Sequence, residues 1–166
     1  MTEFQKADNY GRDKVITTLV TVLTPYLNNI EVTYTGIKDK EDIFIIGNNK
    51  KTNNTIKYCI ECKDRKFEHT KYDNDEMKDE ERGYIIEQHK KEYLINQTQY
   101  GYIPLYVNSF SDDYVVVWNL NKIDWGNCST TGEKTFKEKT VVDSEKYVDN
   151  KQTLKLEQAQ WIGKLI

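Results

Sequence analysis

The residues best suited to chemistry in this sequence are a carboxylate and a Glu-x-Lys triplet, each at the end of an apolar run. Asp42 directly precedes the first run, and Glu61, Cys62 and Lys63 close the second. Both runs are rich in β-branched and aromatic residues, which is typical of strands. The polar segment 47–55 between them has the composition of a turn, so the pattern predicts a β-hairpin.

Side chains alternate between the two faces of a strand, so Glu61 and Lys63 are expected on one face and Cys62 on the other. Burying such a charged pair is costly unless it has partners, which Asp42 and a divalent metal would supply. Carboxylates are suitable ligands for magnesium, which lowers the pKa of a bound water. A lysine ammonium stabilises the charge that develops on a phosphate. The pattern therefore predicts phosphodiester hydrolysis at this point of the sequence.

The order Asp42, hairpin, Glu61-Cys62-Lys63 resembles the motif of the PD-(D/E)XK nuclease superfamily, with Glu41 where the family's motif name has proline. The resemblance extends from an opening helix through the hairpin to a second helix and hairpin. It implies the α/β (α+β) class and a restriction-endonuclease-like core, in which a central mixed β-sheet is flanked by helices. We expect a single domain over residues 1–166, with 121–166 as a C-terminal extension packed on the core.

The resemblance also implies an activity, that of a metal-dependent endodeoxyribonuclease that hydrolyses DNA with Mg²⁺, for which Mn²⁺ is a substitute. In that family pattern Asp42, Glu61 and the backbone carbonyl of Cys62 bind the metal, and Lys63 positions or activates the attacking water. Asp13, on an opening helix similar to that of archaeal Holliday-junction resolvases, would be an additional ligand. The plainer interpretation is that Asp13 favours the N-terminus of its helix.

The second helix of the family sometimes lends a polar or basic residue to the site. Three residues of this sequence are candidates for that role: Gln88, Lys90 and Lys91.

Several alternatives stay open. A Glu and a Lys two residues apart on a strand often form a solvated ion pair, and an Asp before a strand is often a turn residue. Within the nuclease hypothesis, the protein is either a structure-specific resolvase that acts as a homodimer or a restriction-type or repair nuclease. Outside it, the same fold serves as a non-catalytic nucleic-acid-binding or protein-interaction module. An unrelated α/β binding protein is a further alternative.

The composition sets broader limits. Charged residues make up 31% of the chain and the net charge is −3, which is not the strongly basic balance of a typical nucleic-acid-binding protein. No apolar run is long enough for a membrane span and no signal peptide is evident, so we expect a cytoplasmic protein without a membrane partner. The three cysteines suit a reducing compartment. Cys59 and Cys62 would face opposite sides of a strand, so they cannot share a metal ion.

The apolar patterns predict the other elements of the chain. Helices are expected from residue 10 or 11 to 27 and at 80–100, where Gly101 ends the second one, and short helices at 144–148 and 156–162. Strands are expected at 30–34, 102–110, 114–120 and 135–142. The charged segment 64–82 is expected to be a loop that is too polar to be buried. Trp125 and Trp161 suggest that the C-terminal part packs on the domain or on a second subunit.

Overall fold

A computed structural model describes residues 3–34, 43–135 and 148–166 of the chain. These residues form two helices and nine strands: α1 (Glu3–Leu23), β1 (Leu27–Tyr34), β2 (Ile43–Asn49), β3 (Thr55–Asp64), β4 (Tyr84–Glu87), α2 (Gln88–Asn96), β5 (Tyr102–Ser109), β6 (Tyr114–Asn119), β7 (Thr130–Thr135), β8 (Val148–Leu154) and β9 (Trp161–Lys164). No helix in these ranges is long and apolar enough to cross a membrane.

The strands form two sheets. The larger has six strands in the order β1-β2-β3-β5-β6-β9, and β3 runs parallel to β5 while the other neighbours are antiparallel. The smaller sheet is antiparallel, with the order β4-β8-β7. The protein therefore belongs to the mixed α/β class, and the central part of its larger sheet is mixed. Residues after 147 supply β8 to the smaller sheet and β9 to the edge of the larger one.

Two apolar clusters hold the layers together, one on each face of the larger sheet. On one face, Val15, Ile16 and Leu19 of α1 pack against residues of four strands: Ile43, Ile45, Ile60, Leu105, Val107, Val115 and Val117. On the other face, α2 and the smaller sheet pack against β5 and β6; the buried members include Tyr84, Ile86, Leu94, Tyr106, Val116, Trp118 and Leu154. Each such side chain, fully buried, contributes about 1.5–3 kcal/mol of transfer free energy.

Alternation along the strands explains why the sheet carries two cores. Cys59 belongs to the cluster beside α2, whereas its neighbour Ile60 belongs to the cluster beside α1. Glu61 follows on the α2 face and is 4% exposed. The face that carries Glu61 is therefore the face covered by α2 and the smaller sheet.

The predicted hairpin is confirmed, because β2 and β3 pair from Ile43 opposite Ile60 to Asn48 opposite Thr55. The strands predicted at 102–110 and 114–120 are confirmed as β5 and β6, and the run 115–118 lies in the core as expected. Gly101 ends the helical segment with a left-handed backbone, φ +80°, which glycine adopts without strain.

The opening helix was predicted to run from residue 10 or 11 to residue 27, and both ends are wrong, because it begins at Glu3. The helix ends at Leu23 and β1 begins at Leu27. Pro25 lies in the turn between them, and a proline cannot continue the backbone hydrogen bonding of a helix. Tyr26, which continues the apolar stripe in the sequence, is 65% exposed as a result.

The second helix was predicted to start near residue 80, and this too is wrong. Residues 84–87 form strand β4, and α2 begins only at Gln88. Ile85 and Ile86 favour strand structure, and both have partners on β8, residues 153 and 152. A pairing with a distant segment therefore decides between two structures that fit the local sequence.

The C-terminal predictions also need correction. Val148 was placed in a short helix, but it opens strand β8; residues 144–147 lie outside the described residues. The helix predicted at 156–162 is a single 3₁₀ turn, Leu156–Gln158, followed by β9. Of the strand predicted at 135–142, Thr135 lies in β7 and residues 136–142 are outside the described ranges.

Candidate active site

A cleft of about 260 Å³ opens beside the C-terminal half of β3, between the larger sheet and the smaller one. Its walls come from β3 and the loop that follows it, from β4, α2 and β5, and from β8. The lining residues are Lys63, Arg65, Asp73, Ile85, Glu87, Lys90, Tyr106 and Lys151. Four of them are cations and two are carboxylates, so the cleft favours an anionic ligand although the chain as a whole is acidic.

Glu61 is the buried acid of this region. It lies opposite Tyr106 in the parallel register of β3 and β5, and its Oε1 accepts a hydrogen bond from Nζ of Lys90 on α2. Burial alone would lower the pKa of Lys90, but the charge of Glu61 and the hydrogen bond to it raise the pKa above its ordinary value. Lys90 is therefore a charged partner for Glu61 at neutral pH.

A second carboxylate approaches the same ammonium. Glu87 Oε2, at the end of β4, lies 3.8 Å from Lys90 Nζ. The cation of Lys90 thus stands between Glu61 and Glu87, at a position that suits positive charge. Among the described residues, no three His, Cys, Asp or Glu side chains are grouped closely enough to hold a metal ion. Carboxylates are ligands that Mg²⁺ accepts when further oxygen atoms complete its coordination, but the two carboxylates here enclose the ammonium of Lys90.

Asp42, the first residue of the predicted site, lies outside the described residues. Its role as a metal ligand stays a prediction. The chain places it directly before Ile43, which opens β2 and pairs with Ile60, the residue before Glu61.

The other predicted ligands have other surroundings. Cys62 points to the opposite face of β3, against the cluster beside α1, and only its backbone is a candidate ligand. Asp13 is exposed on α1, and its Oδ1 accepts a hydrogen bond of 3.3 Å from the hydroxyl of Tyr34. Gln88 donates to Oε1 of Glu92 at 2.6 Å, one turn along α2. Neither Asp13 nor Gln88 lines the cleft.

Lys63 borders the cleft as the Glu-x-Lys spacing predicts. It is exposed, on the same strand face as Glu61, and its partner across the sheet is Asn108. Lys90, one of the three polar candidates of the second helix, also lines the cleft. Lys91, the next residue, turns away and donates to Oε1 of Gln152 on β8.

Arg65 fixes one wall of the cleft. Its guanidinium donates to Asn108 at 2.5 Å, to Asp73 at 2.6 Å, to the Ile85 carbonyl at 2.8 Å and to the Tyr106 hydroxyl at 3.1 Å. These bonds join β3, the charged loop, β4 and β5. The expectation that the loop 64–82 is too polar to be buried is therefore wrong at Arg65, which is 7% exposed because its donors have acceptors.

We expect Arg65→Ala to lower the free energy of unfolding by about 3 kcal/mol, because it removes a buried cation and leaves the partly buried Asp73 carboxylate without it. Urea denaturation followed by circular dichroism measures this. Lys66→Ala is the matched control: Lys66 is 85% exposed and pairs only with Asp64 among the ion pairs described. Its removal should change the free energy by less than about 0.5 kcal/mol. Equal effects of the two substitutions would contradict a structural role for Arg65.

Tyr106 is held as a neutral structural group. It is 3% exposed, and its hydroxyl donates to the Ile85 carbonyl at 3.0 Å. Burial raises the pKa of Tyr106 to about 12. The phenol therefore stays protonated at neutral pH and is poorly suited to act as a general base.

The two cysteines of β3 face opposite sides, as their spacing predicts. Cys59 is fully buried in the cluster beside α2, and Cys62 packs on the cluster beside α1. We expect Cys59→Ser and Cys62→Ala to keep any metal-dependent nicking of DNA that the wild type shows, because the two sulfurs cannot bind one ion. Nicking assays combined with elemental analysis of the purified variants test this. Loss of bound zinc or iron together with activity in both variants would show a shared thiolate site.

The sequence patterns did not point to Glu87 or Lys151 as residues of this cleft. Glu87 falls in the segment predicted as helix, and its strand-forming neighbours Ile85 and Ile86 were the available signal. Lys151 carries no local signal, because its position depends on the pairing of β8 with β4.

The chain was compared with protein families, curated proteins and solved structures, and none of them matches it.

Proposed function

We propose that this protein is a metal-dependent endodeoxyribonuclease of the PD-(D/E)XK type. The observation that carries the proposal is the buried carboxylate of Glu61, which lies on the same strand face as Lys63 and is paired with Lys90. Glu61 does not itself line the cleft, whereas Lys63 and Lys90 do. An acid that could hold a metal and a lysine two residues along the same strand are groups that metal-assisted phosphodiester hydrolysis can use.

The order of elements supports the proposed core. Helix α1, the hairpin β2–β3, helix α2 and the hairpin β5–β6 follow one another along the chain, with the short strand β4 before α2. The two helices pack on opposite faces of a mixed sheet. This agrees with a restriction-endonuclease-like arrangement, in which helices flank a central mixed sheet.

In the proposed mechanism, Asp42, Glu61 and the backbone carbonyl of Cys62 would hold Mg²⁺. When bound, the ion would supply a water of lowered pKa and would neutralise charge on the phosphate. Lys63, at the exposed rim of the strand, would orient that water or stabilise the negative charge of the transition state. Lys90 balances the charge of the buried Glu61 carboxylate in the structure described here, and Glu87 lies beside the same ammonium. By analogy with the family, the products carry a 5′-phosphate and a 3′-hydroxyl.

A nicking assay on supercoiled plasmid tests the proposal directly. We expect conversion to open circles with Mg²⁺ or Mn²⁺ and none with EDTA. A panel of branched, single-stranded and duplex DNA then separates a resolvase from a restriction-type or repair nuclease.

The same cation-lined cleft also suits a non-catalytic module that binds nucleic acid. Tight binding of DNA without cleavage under any metal condition would favour that second function over the nuclease.

A further inference from the structure

We propose that Lys151 on β8 binds a phosphate of the DNA backbone beside the one that is cut, so that the C-terminal extension forms one wall of the substrate site. This inference rests on the proposed nuclease function, and it assigns a role to a segment beyond the part of the chain that resembles the superfamily.

The first observation is that β8 is firmly seated against β4. The two strands pair from Tyr84 opposite Leu154 to Glu87 opposite Lys151, and Leu154 is fully buried. A side chain at Gly83 would place its Cβ only 2.6 Å from the Leu154 carbonyl oxygen, so the backbones approach closely there. Lys151 is therefore held in position by its strand. It is only 9% exposed, and the space that it borders is the cleft, so a ligand would meet it there.

A contact with α2 fixes the same strand from the side. Lys91 Nζ donates to Oε1 of Gln152, the residue after Lys151, and the Lys91 ammonium also lies 4.0 Å from the centre of the Trp125 ring. The strand is thus tied to the helix that supplies Lys90. Movements of Lys151 relative to Lys90 are restricted by this contact.

The second observation is the charge pattern across the cleft. Residues directly opposite on antiparallel strands have Cβ atoms about 4.5–5.5 Å apart, so Lys151 is a close neighbour of Glu87. Glu87 also lies 3.8 Å from Lys90, and Lys90 pairs with Glu61. Cations and carboxylates therefore alternate from β3 to β8. Lys151 is the cation of this series that the smaller sheet supplies.

The third observation is that Lys151 and Lys63 border the cleft from different sheets. Lys63 comes from the larger sheet and Lys151 from the smaller one, and both line the same space. One DNA strand carries a phosphate about every 3.4 Å of the duplex axis, so a strand with one phosphate at Lys63 has neighbouring phosphates close to the cleft that Lys151 also lines. A phosphodiester of the DNA backbone is the ligand that this pair of lysines suits best.

The test is DNA affinity measured by fluorescence anisotropy with Ca²⁺ in place of Mg²⁺, and again in EDTA, from 50 to 200 mM salt. Lys151→Gln removes the charge and keeps most of the side-chain length. We expect its Kd to rise about three- to tenfold, and the slope of log Kobs against log salt to fall by roughly 0.7–0.9, the amount for one phosphate contact. Lys151→Arg, which keeps the charge, should bind within about twofold of the wild type.

The control is Lys51→Gln, which removes the same charge from the turn between β2 and β3. Lys51 is exposed at the opposite end of β3 from Glu61, roughly 20 Å away at about 3.3 Å per residue. The Lys51→Gln variant should leave the slope of log Kobs against log salt unchanged. Melting curves verify that each variant is folded, and Lys151→Met, which keeps the apolar stem, replaces the glutamine variant if that one is unfolded.

The outcomes separate the two proposals. If the wild type cuts DNA but Lys151→Gln matches Lys51→Gln in Kd and salt slope, the role of Lys151 is wrong and the nuclease proposal stands. If the wild type neither binds nor cuts DNA, both fall. In the supporting outcome the loss appears in Kd and KM, whereas the single-turnover rate at saturating DNA changes far less.

Discussion

Glu61→Gln should abolish DNA cleavage and leave the fold intact. The substitution removes the buried negative charge that the proposed metal requires, while the amide oxygen can still accept the hydrogen bond from Lys90. We expect the single-turnover rate at saturating DNA to fall on the order of 10⁴-fold, as it does when a residue essential to the chemical step is removed. Quenched-flow or gel-based cleavage with Mg²⁺ measures the rate, and circular dichroism verifies the fold.

Glu92→Gln is the matched control for this substitution. Glu92 is an exposed glutamate of α2 that bonds to Gln88 outside the cleft, so its variant should cut at the wild-type rate. Asp42→Ala should cause a loss like that of Glu61→Gln if Asp42 is the second ligand. Full activity of Glu61→Gln with unchanged metal dependence would remove the proposed site.

Lys63→Ala should lower the single-turnover rate by a factor on the order of 10²–10³, the usual loss for one group that stabilises a transition state. The reason is its position: it shares the strand face of Glu61, two residues further on, and borders the cleft. DNA affinity measured with Ca²⁺ should change by less than about tenfold, because a single phosphate contact contributes little.

Lys66→Ala controls for the loss of one positive charge on the same part of the chain, since Lys66 is exposed and does not line the cleft. It should cut at the wild-type rate. A Lys63→Ala variant that cuts at the normal rate once DNA is saturating would make Lys63 a binding residue. The Glu-x-Lys interpretation would then lose its main support.

The parts of the fold that could be predicted are those fixed by local pattern. The hairpin of β2 and β3 was predictable because two β-branched runs flank a segment of turn residues, and β5 and β6 because their apolar runs are long and end at clear turns. The opposite orientation of Cys59 and Cys62 followed from strand periodicity alone.

The rest depended on contacts between distant segments. Residues 84–87 read equally well as the first turn of a helix, and only their pairing with β8 makes them a strand. Arg65 sits in a charged run that looks solvated, yet its four hydrogen bonds bury it. A buried charge of this kind is stabilised by hydrogen-bond and ion-pair partners from distant segments, which local sequence patterns do not reveal.

For the candidate site, the sequence supplied Glu61 and Lys63 through their spacing, and Lys90 as one of three polar candidates on the second helix. Lys151 and Glu87 could not be predicted from the sequence. Both belong to the smaller sheet, whose strands β4 and β8 are far apart in the chain and pair only in the folded protein. A sequence motif contains residues that are close in the chain, whereas this cleft joins residues as far apart as Lys63 and Lys151, whose numbers differ by 88.

The pairing of β4 with β8 also bears on when the protein becomes competent during its synthesis. The partner of Glu87 is made 64 residues later, and at 5–20 residues per second the interval is roughly 3 to 13 seconds. Throughout that interval the growing chain holds Glu61, Lys63 and Lys90 but lacks the wall that carries Lys151. For the proposed nuclease, the nascent polypeptide would therefore be unable to form the complete cleft, and full affinity for DNA would arise late in translation.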